Sequence, residues 1–264
     1  MEDVSQTLFY PLLGRAKAAS QWPDLFPDPW ATQAAHIAAA EKTPAQPLGT
    51  FPTLCYGLRH LFTIREITQY LDTHPGAAVV NIGCGLDVLS EDLAGYDCTI
   101  YNLDFPDVID MRHRWVPKAD NEIDLPYSAT DHEWLTKVSG DKGVIAVAPG
   151  VFYYLPIPEV AALVDAFGQA FPGGRLVYET ESPMVMRGSE KQIARHGTPA
   201  SMPFKVKDPY TPQDWSDTVR DYHVTFNFLD YLTDEQRKQI PSQYRILFGF
   251  FERIRGIYVV NMGF

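Results

Sequence analysis

Cysteine is scarce. Only Cys55, Cys84 and Cys98 occur in 264 residues, and their odd number and spacing fit neither a disulfide framework nor a zinc site. Free thiols in a reducing cytoplasm are the setting they suggest. Positive charge is also short: 22 Lys and Arg stand against 33 Asp and Glu, for a net charge of −11. A field of that sign repels phosphate backbones and anionic lipid, which speaks against a nucleic-acid or membrane partner. No apolar run approaches the roughly 18 residues of a spanning helix. The opening MEDVSQTLFY is acidic, where a secretory leader would be basic and then apolar. Internal repeats and low-complexity tracts are missing too. The hydrophobic share, 45%, is that of a globular chain with a full core.

What is present changes character along the chain. Residues 1–75 read as a helical cap. PLLGRAKAASQW, DPWATQAAHIAAAEK and LRHLFTIREITQYLD carry apolar residues at helical spacing, with Asp28 as an N-cap and Pro29 at the first helical position. From 76 to 182 the pattern becomes strand-like. AAVVNIG, CTIYNLD, GVIAVAPG and GRLVYETE are short and apolar, with helical stretches such as IPEVAALVDAFGQAF between them. That alternation predicts a parallel sheet with helices on both faces. Residues 183–220, dense in Pro and polar groups, read as an ordered loop or lid. Residues 221–264 bring YHVTFNFLDYL and GIYVVNMGF as closing strand-like runs.

The most informative stretch is VVNIGCGLDVL, residues 79–89. In open α/β sheets ligands sit beyond the carboxyl ends of the strands, and glycine in the first strand-to-helix turn lets backbone N–H groups approach them. Gly83 and Gly85 fit that role; a structural turn after a buried strand fits as well. The third glycine of a dinucleotide fingerprint is absent, Val88 standing there. Roughly twenty residues on, TIYNLDFPDV ends a strand in Asp104, placed to accept hydrogen bonds from ribose hydroxyls. Asp104 or Asp107 could equally cap a helix starting at Pro106.

VVNIGCGLD, then YNLDFPDVI, then APGVFYYLP, together with SQTLFYPLLGRAKAA and FPDPWA near the start, resemble the leucine carboxyl methyltransferase family, which includes bacterial O-methyltransferases of polyketide biosynthesis. The resemblance covers most of residues 5–180 and the closing YVVNMGF. It implies an α/β fold of the class I methyltransferase type, a Rossmann-like seven-stranded sheet with one antiparallel strand, N-terminal helices and a lid insertion in a single domain. It also implies S-adenosyl-L-methionine as cofactor. Five charged or polar residues of the family are replaced, at four places: Thr-Arg after the Asp by Val88-Leu89, the Glu before the ribose Asp by Asn102, the Glu before Gly150 by Pro149, and an adenine-facing acid by Ser128.

Carried over residue by residue, the resemblance places the cofactor's carboxylate on Arg59, with Arg65 in reserve. Its amine and sulfonium lie near Asp87, Gly83 and Gly150, its ribose on Asp104 with Asn102, and its adenine against Phe105, Ser128 and Ala129. Tyr153 and Tyr154 follow the fourth strand, where an acceptor would approach; a buried aromatic with a satisfied hydroxyl is the structural alternative. Tyr10, Trp22, Tyr210 and Trp215 are candidates for an acceptor pocket, and Arg187, Lys191 and Arg195 form a basic run beside it. His113, His132 and His196 sit in no catalytic motif, so a base-free transfer to a small-molecule carboxylate is favoured over transfer to a phenol. The alternatives are methylation of a protein C-terminal carboxyl group, a non-catalytic binding protein on the same scaffold, and a nicotinamide dehydrogenase, which the missing third glycine disfavours. Oligomeric state is not legible.

Overall fold

Three helices precede the first strand: α1 (Glu2–Gln21), α2 (Pro29–Ala40) and α3 (Thr50–Leu71). The computed structural model describes residues 2–40, 48–194 and 201–264. The Asp28 side chain accepts from the Ala31 N–H at 2.7 Å, so the Asp-Pro start of α2 works as its sequence suggests.

Seven strands follow: β1 (Ala78–Ile82), β2 (Thr99–Asp104), β3 (Glu122–Pro126), β4 (Val144–Ala148), β5 (Arg175–Glu181), β6 (Asp221–Thr225) and β7 (Ile257–Gly263). They form one sheet in the order β3-β2-β1-β4-β5-β7-β6. β7 runs antiparallel to both its neighbours; the other pairings are parallel. Between strands lie α4 (Pro106–Trp115), α5 (Ile157–Ala170), α6 (Pro183–Ala194), α7 (Asp234–Gln239) and α8 (Ser242–Arg253). Among the described residues no helix is long and apolar enough to cross a membrane.

β1 and β4 are buried at every position because each is paired on both sides and covered on both faces. One face packs Val79, Ile100, Ile145 and Val177 against Leu54, Leu58 and Phe62 of α3 and Phe248 of α8. The other packs Val80, Leu103, Ala146 and Leu176 against Val160, Val164 and Phe167 of α5. Chain order reverses at β1, which pairs β2 on one side and β4 on the other. The switch point of this sheet therefore lies at the carboxyl ends of β1 and β4.

Two expectations need correction. Residues 83–96, where a helix should follow the glycine turn, form turns instead. The 183–220 segment is not all loop, since α6 opens it and a 3-10 turn spans Thr211–Trp215. Arg195 and His196 lie outside the described residues.

Candidate functional site

Where β1 ends the chain turns through two left-handed glycines, Gly83 at φ +67° and Gly85 at φ +49°. A side chain at Gly83 would also meet Val151, whose Cγ2 lies 2.3 Å from the position of a Cβ. The Gly83 and Cys84 N–H groups donate to the Leu103 carbonyl, at 2.7 and 3.1 Å. The Gly85 N–H donates to Asp104 Oδ2 and the Phe105 N–H to Asp104 Oδ1, both at 2.8 Å. The end of β2 is thus stitched to the turn after β1. A carboxylate has about four acceptor positions, so about two remain on Asp104 for a ligand. Burial raises the pKa of Asp104, while the two backbone N–H groups favour its ionised form. The N-cap of α4 is Phe105 and receives no side-chain cap, so neither Asp104 nor Asp107 fills that role. Phe105 is itself exposed, its ring free to cover a planar group.

The turns after Gly85 are held by side chains. Trp30 Nε1 donates to the Leu86 carbonyl at 2.8 Å, and Arg112 donates to the Gly85 carbonyl at 3.3 Å and to that of Asp87. Leu86 and Val88 are buried under Phe9, Leu12 and Ala34 of α1 and α2. The Asp87 carboxylate is paired with Arg15, which also holds Asp28 at 2.8 Å. It is therefore committed within the protein and caps no helix. Arg15 thus ties α1 to the turn that follows Gly85.

Asn102 is a further correction. It is fully buried in β2, and its amide N–H groups donate to Glu122 Oε2 at 3.1 Å and Asp124 Oδ1 at 3.2 Å. Both donors are spent on these buried acids of β3, which Arg112 also contacts. The pKa of Asp124 is lowered: burial alone would raise it, but hydrogen bonds from Lys118, His113 and Asn102 prevail.

A second cluster sits at the carboxyl ends of β4 and β5. Arg59, projecting from α3, places Nε 2.6 Å from Glu179 Oε1, and the guanidinium lies over Gly150, where a Cβ would be 3.3 Å from Nη1. Gly150 is left-handed at φ +77°. Glu179 is fully enclosed, whereas the Arg59 side chain is 24% exposed, which leaves its terminal nitrogens open to a ligand. Burial raises the pKa of Glu179 and Arg59 opposes the rise. Glu181, next on the same strand face, accepts from Ser189 at 2.8 Å, and burial raises its pKa as well. The Tyr153 phenol is pushed well up by burial and by the charges of Glu179 and Glu181; its ring packs with Met186 and Met202. Tyr154 stands beside it, exposed, with ring centroids 6.4 Å apart. Burial lifts the Cys55 thiol to about 12, so it stays protonated.

Ser128 and Ala129 follow β3. Ser128 Oγ bonds Thr130, and the Ala129 carbonyl accepts from Trp134, so both shape the loop that would flank a ring held by Phe105. Arg65 lies away from the crevice, bonded to Gln236. Trp22 and Trp215 pack into the two core clusters. His113 is paired with Asp124, and His132 opens a 3-10 turn capped by Asp131.

Sequence reasoning passed over Glu179 and Glu181. The available signal was YETE itself: acids at alternate positions on the last turn of an otherwise apolar strand, at the end of the sheet where ligands bind.

No family model matches the chain. The tetracenomycin polyketide synthesis O-methyltransferase TcmP of Streptomyces glaucescens is 25% identical over 142 residues, 53% of each chain, so the match spans about half the length of that relative. Among solved structures, the plantazolicin methyltransferase BamL in complex with a triazolic desmethylPZN analog and SAH aligns at a TM-score of 0.52, with 11% identity over 98% of both chains. The mycolic acid cyclopropane synthase CmaA1, complexed with SAH and CTAB, aligns at 0.50 with 12% identity over 97% of both. The fold is that of the class I methyltransferases.

Proposed function

We propose that this chain is an S-adenosylmethionine-dependent methyltransferase acting on an oxygen of a small molecule. The observation that carries the reading is the stitched pair of strand ends, Gly83-Gly85 and Asp104, facing Arg59 over Gly150 across the switch point of a class I methyltransferase sheet. The likeness to TcmP supports oxygen as the methylated atom.

The residues present fit the cofactor. Asp104 has acceptor capacity for two ribose hydroxyls, and Arg59 has terminal nitrogens for a carboxylate. Phe105 presents an exposed face for adenine. Without side chains, Gly83 and Gly85 let the backbone come close to the ligand. Asn102 and Asp87 are left out of this set because other groups engage them.

When bound, S-adenosylmethionine supplies a methyl group on a cationic sulfur, which is displaced in line by a nucleophile. The protein's contribution is orientation and exclusion of water. Tyr153 and Tyr154 form the wall by which an acceptor enters, with Tyr153 held as a neutral phenol that can donate but does not ionise. A carboxylate acceptor is already ionised at neutral pH and needs no base.

The test is the pH profile of methyl transfer under single-turnover conditions. A carboxylate acceptor gives a rate nearly flat from about pH 6.5 to 8.5, since nothing on it titrates there. A rate that climbs with pH, and loses the climb in Glu181→Gln, overturns base-free transfer and makes Glu181 the base.

A further inference from the structure

On the opposite face of the sheet from Arg59 and Glu179, a cavity of about 240 Å³ opens between the end of β5, residues 206–209 and the junction of α8 with β7. The register separates the two places: Glu181 pairs with Ile257, which packs on the α3 side, and Thr180 pairs with Tyr258, which packs on the α5 side. Lys207 and Arg255 line the cavity with Ser182, and Val206, Pro209 and Ile254 give it apolar walls.

Three features of these residues mark the cavity. Among the described residues neither Lys207 nor Arg255 joins an ion pair; Arg255 instead lies over the Tyr210 and Phe226 rings, 5.9 and 5.5 Å from their centroids. Arg255 is also left-handed, at φ +49°, the one non-glycine residue so placed among those described. It follows the C-terminus of α8, where the Gly256 N–H closes back on the Phe251 carbonyl at 2.7 Å, a position that glycine usually fills. Finally, Tyr258, whose ring forms part of the wall, has a fully enclosed hydroxyl with no hydrogen-bond partner. The one acid of the lining, Asp208, accepts from the Tyr210 N–H at 3.1 Å and leaves the lining with one net positive charge.

We propose that this cavity is a binding site for a small carboxylate with an apolar body, its anionic end between Lys207 and Arg255. In a chain of net charge −11 an anion needs such a local pair of cations. The volume is below the roughly 300 Å³ at which sites for drug-sized ligands begin, so the occupant is a single small ring or short chain. The proposal does not depend on methyl transfer, and its test uses no S-adenosylmethionine.

The test is isothermal titration of the full chain with benzoate, and with benzamide as a neutral analogue of the same shape. Benzoate binds and benzamide binds much more weakly. Lys207→Gln combined with Arg255→Gln weakens benzoate by about tenfold or more, the loss of charge-assisted hydrogen bonds. Among the described residues neither side chain makes a hydrogen bond or ion pair, and Arg255 gives up only its contacts over the Tyr210 and Phe226 rings, so the melting temperature of the ligand-free double variant falls by no more than a few degrees. Equal affinity for benzoate and benzamide, or unchanged benzoate affinity in the double variant, overturns the proposal.

Discussion

Asp104→Ala is the sharpest perturbation of the crevice. In the folded chain the carboxylate accepts two backbone N–H groups, from Gly85 and Phe105, and keeps about two acceptor positions for a ribose. Each hydrogen bond to a charged acceptor contributes about 1.5–3 kcal/mol, so losing two removes about 3–6 kcal/mol of binding. At 1.4 kcal/mol per factor of ten, affinity for S-adenosylhomocysteine falls by about 10²- to 10⁴-fold. Effects on folding oppose one another. The variant loses the two backbone hydrogen bonds, but it also removes a carboxylate whose burial raises its pKa and disfavours its charge. Titration calorimetry gives the affinity and circular dichroism on heating checks the fold. An affinity within about threefold of the parent, in a variant that still unfolds cooperatively, would refute the placement of the ribose. An independent check uses pH: affinity declines as the solution is acidified through the raised pKa of Asp104, because the protonated acid accepts less well.

Two further changes probe the scaffold. Glu179→Gln leaves Arg59 without its buried counter-charge, and urea unfolding at pH 7 should register a loss of about 3 kcal/mol, the low end for a broken buried pair because Arg59 is partly solvated. An unchanged midpoint would mean that the pair is held by solvent. Asp124 has a lowered pKa in the fold, so its ionised form stabilises the protein above its ordinary value of 3.8 and that contribution fades as pH falls below it. Asp124→Asn should therefore be less stable than the parent at pH 7, with the gap narrowing as the solution is acidified below 3.8; a gap independent of pH would assign the loss to packing.

The sheet was legible where burial on both faces forced continuous apolar runs, as in AVVNI and VIAVA. β3 was not read as a strand from its residues. At the sheet edge only Glu122 and Leu125 are buried, EIDLP carries two acids, and it ends in Pro126, so neither an apolar run nor an alternating pattern marks it. The helix expected after Gly85 fails for a tertiary reason, since the indole of Trp30 and the guanidinium of Arg112 take backbone carbonyls that a helix would use. The place of Asp104 at the end of β2, beside the glycine turn, was legible because it follows from strand position and spacing. The role of Asn102 was not, because its side chain answers to Glu122 and Asp124, acids on a strand paired with its own. The Arg59–Glu179 pair joins α3 to β5, a contact between distant segments that local pattern does not encode.

The central claim is that the crevice binds an adenosyl cofactor, and a thermal-shift panel of S-adenosylmethionine, S-adenosylhomocysteine, NAD and NADP tests it most directly. At a ligand concentration about 100 times Kd, selective binding to the folded state adds about 2.7 kcal/mol. For a chain of this size that corresponds to a rise in melting temperature of roughly 5–10 °C. The two adenosyl ligands should give that rise and the nicotinamide dinucleotides none. A rise with NAD or NADP and none with S-adenosylhomocysteine would contradict it.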